Sequence, residues 1–297
     1  MNRKKFGKLL IALRREHLDG NLKAWTRQRF SEESGIDEEI LANIETGRKT
    51  NLYPEQLITI ADTLSLASGE RRAFLQAASG VEEHEIFAAQ RPEKARDELL
   101  KLMDNLQQPA FLLDQFFDIV AVNQMALEVC NLRVSDFLQE PNRPILRLNL
   151  MRLLFSVEFA AQRAMFGKHW DSFVNSVMLA FRAASLPYRA TDYFQDLFQR
   201  LYEFDDFKIY FRASRKFKND YYADNNARLI LENAKLGALD CMSSAVTAAT
   251  IDGDLRLFIL FPLNKETAAA FFSLSGEQNY LFQTLPNWPQ KPELEKK

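Results

Sequence analysis

Residues 26–48, TRQRFSEESGIDEEILANIETGR, contain two short helical patterns separated by a glycine turn. Thr26 can cap a helix that stops at Gly35, because its hydroxyl accepts from free backbone amides and glycine readily adopts the left-handed conformation that ends helices. Asp37 can cap the next helix in the same way. The buried stripe of that next helix would consist of Ile40, Leu41 and Ile44. Two helices joined by such a tight turn form the helix-turn-helix pattern.

Helical periodicity continues on both sides of this motif. Apolar residues at intervals of three and four predict an amphipathic helix between Phe6 and His17. Downstream, Pro54 can open a fourth helix and Ser68 can cap a fifth. We therefore predict a compact all-α domain of five helices in residues 1–80.

The motif resembles the helix-turn-helix of the Cro/C1-type (XRE) regulators, which have a lambda-repressor-like fold. The resemblance rests on the turn Gly35-Ile36-Asp37, on Ile44-Glu45-Thr46-Gly47-Arg48 and on the spacing between them. It implies binding to a double-stranded DNA operator, with phosphate contacts flanking the third helix and base contacts from it. The residues that it assigns to DNA are Thr26, Arg27, Gln28, Glu38, Glu39, Asn43, Arg48 and Lys49, with Ala42 beside them.

The implied DNA-facing helix is acidic. Residues 30–45 include six Asp and Glu and no Lys or Arg, whereas residues 1–29 hold nine basic and two acidic residues. A carboxylate can accept a hydrogen bond from cytosine, but two in succession repel phosphate unless nearby cations offset them. A helix-turn-helix domain that contacts a protein instead of DNA is therefore an open alternative.

A charged segment separates this domain from a longer one. We place a linker at residues 81–93, a second domain at 94–285 and a flexible, proline-rich tail at 286–297.

The second domain mixes strand-like and helical patterns. Two short apolar runs predict a β-hairpin, and three later runs rich in β-branched and aromatic residues predict strands. The predicted strands are 110–114, 117–123, 229–231, 244–250 and 255–262. The predicted helices are 94–106, 265–274 and two aromatic stripes at 170–181 and 194–202.

Parts of the second domain resemble a known family. The hairpin, PAFLLD followed by DIVAVN, is similar to the opening of PAS-like sensor domains, and Asn149, Arg152 and Phe155 match the Asn-x-x-Arg-x-x-Phe segment of the MmyB-like transcription regulators. That family joins an XRE domain to a PAS-like ligand domain. The resemblance implies an α+β PAS-like domain with an antiparallel sheet and several added helices. The sequence departs from the family at its Trp-Ala-x-His string, whose nearest counterpart here is Tyr210-Phe211-Arg212-Ala213-Ser214.

The aromatic stripes could be packed core or the lining of a ligand pocket. A stripe at helical spacing commonly packs as core, but this fold type commonly encloses a ligand. The residues that we assign to a pocket are Phe155, Phe159, Phe173, Val177, Phe181, Phe194, Phe198 and Arg147. Together with Arg152 and Arg163, Arg147 could meet a carboxylate, which favours a fatty-acid-like or polyketide-like effector. A fully packed core without a ligand remains the alternative.

Composition and motifs narrow the function class. The formal net charge is -2, so any DNA binding must be local. The two cysteines, Cys130 and Cys241, indicate buried thiols in a reducing compartment, and the sequence has no signal-peptide or membrane-spanning run, which favours the cytoplasm. The three histidines lie far apart, and no phosphate loop or nucleophile motif occurs. We therefore expect no metal site, no obligatory cofactor and no enzyme activity.

These observations favour a cytoplasmic, homodimeric, sequence-specific transcription regulator. Its expected partners are a DNA operator, a second copy of the chain and a small apolar effector such as a fatty acid, but no membrane. Two alternatives stay open. One is a helix-turn-helix protein-interaction module, and the other is a peptide-pheromone-type regulator without a small-molecule pocket, although no 34-residue repeat is visible.

Overall fold

The N-terminal part of the chain is helical. The computed structural model describes residues 1–20, 23–81, 91–137, 144–216, 228–277, 282–285 and 288–291. The helices of the N-terminal part are α1 (Arg3–Arg15), α2 (Arg27–Ser34), α3 (Glu38–Glu45), α4 (Pro54–Thr63) and α5 (Ser68–Ser79).

Local capping sets the ends of the first three helices. Asn2, Thr26 and Asp37 each accept a hydrogen bond from a backbone amide in the first turn of the helix that follows. Gly35 ends α2 with a φ of 67°, in the left-handed region that favours glycine. The turn between α2 and α3 therefore forms where the sequence pattern predicts it.

Helix α1 lies directly against the end of α3. A β-carbon at Gly7 would overlap the carbonyl oxygen of Glu45, and Gly47, with a φ of 72°, lies against the backbone of Lys4. Glycine is therefore needed on both sides of this contact. The apolar core enclosed by the five helices includes Phe6, Leu10, Phe30, Leu41, Ile44, Ile60 and Phe74.

The C-terminal part is built on one antiparallel sheet, which has six strands in the described ranges. They are β1 (Ala110–Leu113), β2 (Ile119–Asn123), β3 (Arg228–Asn233), β4 (Gly237–Ala248), β5 (Leu255–Pro262) and β6 (Phe282–Thr284). Their spatial order is β3-β4-β5-β1-β2-β6. In the β1-β2 turn, Oδ1 of Asp114 accepts from the amides of Phe116 and Asp118, and Phe117 has a φ of 62°.

Helices cover both faces of the sheet. Helix α6 (Pro92–Asp104) packs on the face that carries Leu112, Val120 and Leu257, whereas the opposite face carries Leu231 and Leu260 and meets a larger helical layer. The remaining helices are α7 (Gln124–Val129), α8 (Val134–Phe137), α9 (Leu150–Phe155), α10 (Ala160–Ala164), α11 (Trp170–Ser185), α12 (Asp192–Leu201), α13 (Asp205–Ala213) and α14 (Lys265–Glu277). Short 3-10 turns lie at Pro144–Leu146, Val157–Phe159, Gly167–His169, Leu186–Tyr188 and Ser214–Lys216. None of the helices in these ranges is both long and apolar enough to cross a membrane.

The two parts of the chain share a buried boundary. Leu186, in the turn after α11, is fully buried in the core of α1–α5. Beside it, Arg182 and Arg189 form ion pairs with Glu70 of α5, and Arg189 also pairs with Glu16 at the end of α1. We call these four charged side chains (Glu16, Glu70, Arg182 and Arg189) the junction network.

The prediction of a helical N-terminal region followed by an α+β domain with an antiparallel sheet is confirmed. Helix α13, over residues 205–213, was not predicted. Most of the predicted linker, residues 82–90, lies outside the described ranges.

The C-terminal end differs from the predicted flexible tail at residues 288–291. Trp288 is buried against α6 and the sheet. Nζ of Lys291 lies 2.6 Å from Oδ2 of Asp118 and also contacts Asp114. A buried indole and a doubly paired ammonium hold this segment on the domain.

Candidate functional site

A partly open apolar cavity of about 140 Å³ lies between the sheet and the helical layer. Its sheet wall consists of Phe111, Leu113, Leu229, Leu231, Ser243, Phe258 and Leu260, and its helical wall includes Leu153, Leu154, Trp170, Phe173, Val177 and Ala180. Such a wall favours an apolar molecule, because a polar one would lose its hydrogen bonds to water.

The spacing of apolar residues on β3 and on α11 places their side chains on the faces that line the cavity. Leu229 and Leu231 are two residues apart on β3, so both point to the same face of the sheet. Phe173, Val177 and Ala180 are three and four residues apart on α11, so they share one helix face. The ring of Phe173 stacks on that of Phe166 with centroids 4.4 Å apart, which holds the aromatic end of the cavity in place.

Two polar side chains from the α10 region reach the cavity. Nη1 of Arg163 donates to the carbonyl oxygens of Leu154 and Ser156, at 3.2 and 3.0 Å, which fixes the guanidinium at the wall. Nε2 of Gln162 donates to the carbonyl oxygen of Asn131, while its Oε1 is buried without a hydrogen-bond partner among the described residues. The cavity can therefore hold an apolar body with a hydroxyl at Gln162 or an anionic oxygen at Arg163.

Cys130 also lines the cavity, and burial raises the pKa of its thiol to about 12. Burial likewise raises the pKa of Cys241 to about 12. Both thiols are therefore protonated at neutral pH, when a thiol is a poor nucleophile. They act as small apolar side chains of the core.

The structure brings three of the eight residues assigned to a pocket to the cavity wall: Phe159, Phe173 and Val177. Phe155, Phe181, Phe194 and Phe198 pack as aromatic core beside it. Arg147 is half-buried away from the wall. The predicted residues divide into lining and core residues because each aromatic stripe packs against more than one neighbouring element, and only one side of the stripe faces the cavity. The strand residues of the wall were missed, although the alternation of Leu229 and Leu231 was a signal for them.

The residues assigned to DNA lie around α2 and α3. Thr26 caps α2, and Nε2 of Gln28 donates to Glu32 at 3.2 Å. Glu38, Glu39 and Arg48 are exposed, Asn43 is half-buried, and Nζ of Lys49 lies 5.4 Å from the ring centroid of Tyr53.

Arg27 has a structural partner inside the protein. Its Nε and Nη2 both lie 2.9 Å from Oε2 of Glu45, a buried carboxylate that also accepts from Nε of Arg14 at 2.8 Å. Arg27 is therefore one of the two arginines that pair with the buried carboxylate of Glu45, although its own side chain is 35% exposed. The sequence motif gave no sign of this second role.

The charges on this surface are segregated. Glu38 and Glu39 occupy the first turn of α3, where a carboxylate stabilises the helix dipole. Exposed cations lie on α1 and after α3, towards the opposite, C-terminal end of α3, at Lys4, Lys5, Lys8 and Arg48. The contact of Gly47 with the backbone of Lys4 brings the two cationic segments together.

A search for similar sequences among curated proteins finds no significant match. In contrast, the family model of the MmyB-like transcription regulator ligand binding domain matches residues 95–274, which contain strands β1–β5 and every residue that lines the cavity. Because this match covers more than half of the chain, the protein belongs to the MmyB-like transcription regulators and carries the ligand-binding domain of that family.

Proposed function

We propose that the protein is a non-catalytic, sequence-specific DNA-binding transcription regulator whose C-terminal domain binds a small apolar effector. The observation that carries this proposal is the apolar cavity within the matched ligand-binding domain. The single sheet formed by the opening hairpin and the late strands supports a PAS-like assignment for that domain.

The size of the cavity constrains how the effector binds. A cavity of about 150 Å³ accommodates benzene, so the present 140 Å³ accepts a group of that size. A fatty-acid-like or polyketide-like effector fits if one wall moves outward on binding. We propose such a molecule, with its polar end at Gln162 and Arg163.

The arrangement of α2 and α3 supports a helix-turn-helix of the XRE, lambda-repressor-like type. The left-handed Gly35, the cap at Asp37 and the contact of Gly47 with α1 all coincide with the motif. We propose that α3 enters the major groove, with Lys4 and Arg48 on the flanking phosphates. Operators of such regulators are usually palindromic, which favours a homodimer.

Native and denaturing mass spectrometry of the purified protein tests the effector proposal. We expect a mass difference of lipid size on a dimer. The variant V177W, which fills the cavity, should lose this mass, whereas V157W, at a residue that is 78% exposed, should keep it. A wild-type chain without added mass that also fails to bind dodecanoate in calorimetry would contradict the effector proposal.

A further inference from the structure

The junction network is a charged cluster buried between the two parts of the chain. The side chains of Arg182, Arg189 and Glu70 are at most 1% exposed, and that of Glu16 is 6% exposed. Arg182 binds Glu70 in a bidentate pair, with Nε–Oε1 and Nη2–Oε2 distances of 2.9 and 2.7 Å. Arg189 bridges both carboxylates through separate nitrogens.

The charges in this cluster depend on one another. Burial alone would raise the pKa of Glu70, but Arg182 and Arg189 hold it at about 2. Burial outweighs Arg189 at Glu16, whose pKa is raised. Removal of Glu70 would leave the buried guanidinium of Arg182 without the carboxylate that it pairs with, which costs more than an intact buried ion pair contributes to stability. The main effect of the cluster is therefore to fix the position of α11 relative to α5, and its contribution to the stability of the fold is secondary.

Helix α11 lies between the cavity and this network. Phe173, Val177 and Ala180 form its cavity face, and Arg182 follows Ala180 by two residues, about 200° around the helix. One face of α11 therefore meets the ligand space while the opposite face holds α5. Immediately after α11, the chain inserts Leu186 into the core of α1–α5.

The two walls of the cavity differ in how easily they can move. The sheet wall is held by continuous strand pairing from β3 to β5 and β1. The helical wall has no continuous ladder of this kind: it is held by side-chain packing and by separate bonds, such as that from the amide of Glu232 to the carbonyl oxygen of Met165. Packed helices shift by sliding past their neighbours. A molecule larger than the cavity therefore displaces α11 before it displaces the sheet.

We infer that α11 couples occupancy of the cavity to the position of the N-terminal helices, and that the junction network carries the displacement. This inference rests on the proposed function, because it requires a molecule in the cavity. Arg182 and Glu70 act as positioning residues and do not touch the effector. Since interiors are close-packed, a shift at Val177 or Ala180 is passed across the helix to Arg182 and from there to α5.

Hydrogen exchange of the full chain tests this coupling without an identified effector. The variant A180L adds volume on the helical wall, and L231W adds a comparable volume on the sheet wall as a matched control. We expect A180L to change the exchange rates of α1 and α5 amides by about threefold or more, because amide exchange reports local opening equilibria. L231W should change them less. Equal effects of the two variants, or no effect of A180L, would overturn the inference.

A second comparison identifies the route. E70M/R182M replaces the buried bidentate pair with apolar side chains, a change that folded proteins often tolerate. In that background the A180L effect on α1 and α5 should disappear, whereas R228M/D240M, which removes an exposed pair on β3 and β4, should preserve it. If E70M/R182M does not fold, R189M takes its place and should weaken the effect. If A180L still has its full effect on α1 and α5 exchange in whichever of these backgrounds folds, the junction network does not carry the displacement.

Calorimetry with dodecanoate separates this inference from the proposed function. If dodecanoate does not bind but A180L acts through the network, the effector class is wrong and the coupling holds. If dodecanoate binds and leaves α1 and α5 exchange unchanged, the effector class holds and the coupling is wrong.

Discussion

Individual buried residues show that ionisable groups bind the separate segments of this chain together. Lys291 lies between Asp114 and Asp118, and it packs on the rings of Phe116 and Tyr193. Despite this ammonium, burial raises the pKa of Asp114 to about 6. Folding therefore favours the protonated form of Asp114, and the stability that this group contributes decreases as pH rises towards 6.

His17 has the opposite linkage. Burial, together with Arg215, lowers its pKa from 6.5 to about 3, and its Nε2 lies 3.1 Å from the carbonyl oxygen of Leu64. The unfolded chain takes up a proton below pH 6.5 while the folded chain does not, so stability is full above pH 6.5 and is lost as pH falls. Between these two values the loss attributable to His17 approaches about 1.4 kcal/mol per pH unit.

The variant H17Q removes this linkage while keeping a side chain that can donate to Leu64. Its free energy of unfolding in urea should approach or exceed that of the wild type as the pH falls from 7 to 5. The comparison at pH 8, where neither chain is protonated at this position, gives the cost of the substitution alone. Parallel stability curves of the two chains from pH 8 to 5 would show that His17 is not buried in its neutral form.

At the scale of elements, α3 combines two demands on charge. Its first-turn carboxylates suit the helix dipole, but they oppose the approach of phosphates. We therefore expect E38Q/E39Q to bind a mixed-sequence DNA duplex more tightly than the wild type, by roughly tenfold at low salt. Fluorescence anisotropy at several salt concentrations measures this change.

The matched control for this prediction is E93Q/E98Q, which removes two exposed carboxylates on α6. It should leave the DNA affinity unchanged. Unchanged affinity of E38Q/E39Q would mean that α3 does not approach phosphates, which favours a protein-interaction role for the N-terminal helices.

Elements with a clear sequence period could be predicted, whereas contacts between distant elements could not. The apolar interval of α11 and the turn residues of the β1-β2 hairpin located these elements closely. Periodicity did not reveal which side of an aromatic stripe faces a cavity, because core and lining residues have the same composition. Nor could periodicity identify Arg182 as the partner of Glu70, because the two residues are 112 positions apart and many other basic residues could equally have paired with Glu70. Trp288 was missed because a single aromatic residue in a proline-rich segment has no periodic context.

At the scale of the whole molecule, Leu186 of the ligand-binding domain lies in the hydrophobic core of the N-terminal helices. L186A should lower the free energy of unfolding by roughly 2–5 kcal/mol, as large-to-small changes in cores do. Exchange should accelerate in α1 and α5 as well as in α11. L263A, at a residue that is 47% exposed, should have little effect. A loss below about 1 kcal/mol for L186A, close to that of many surface substitutions, would show that the two parts are not joined through this side chain.

The burial of Leu186 also limits how such regulators can be recombined. A cut in the segment between the two domains separates them along the chain, but the first domain then loses Leu186 from its core and the partners of Glu70. A chimera that joins residues 1–80 to a foreign sensor would therefore need a grafted copy of residues 182–189 on the new partner. Exchange of the N-terminal domain therefore has to transfer the end of α11 together with α1–α5.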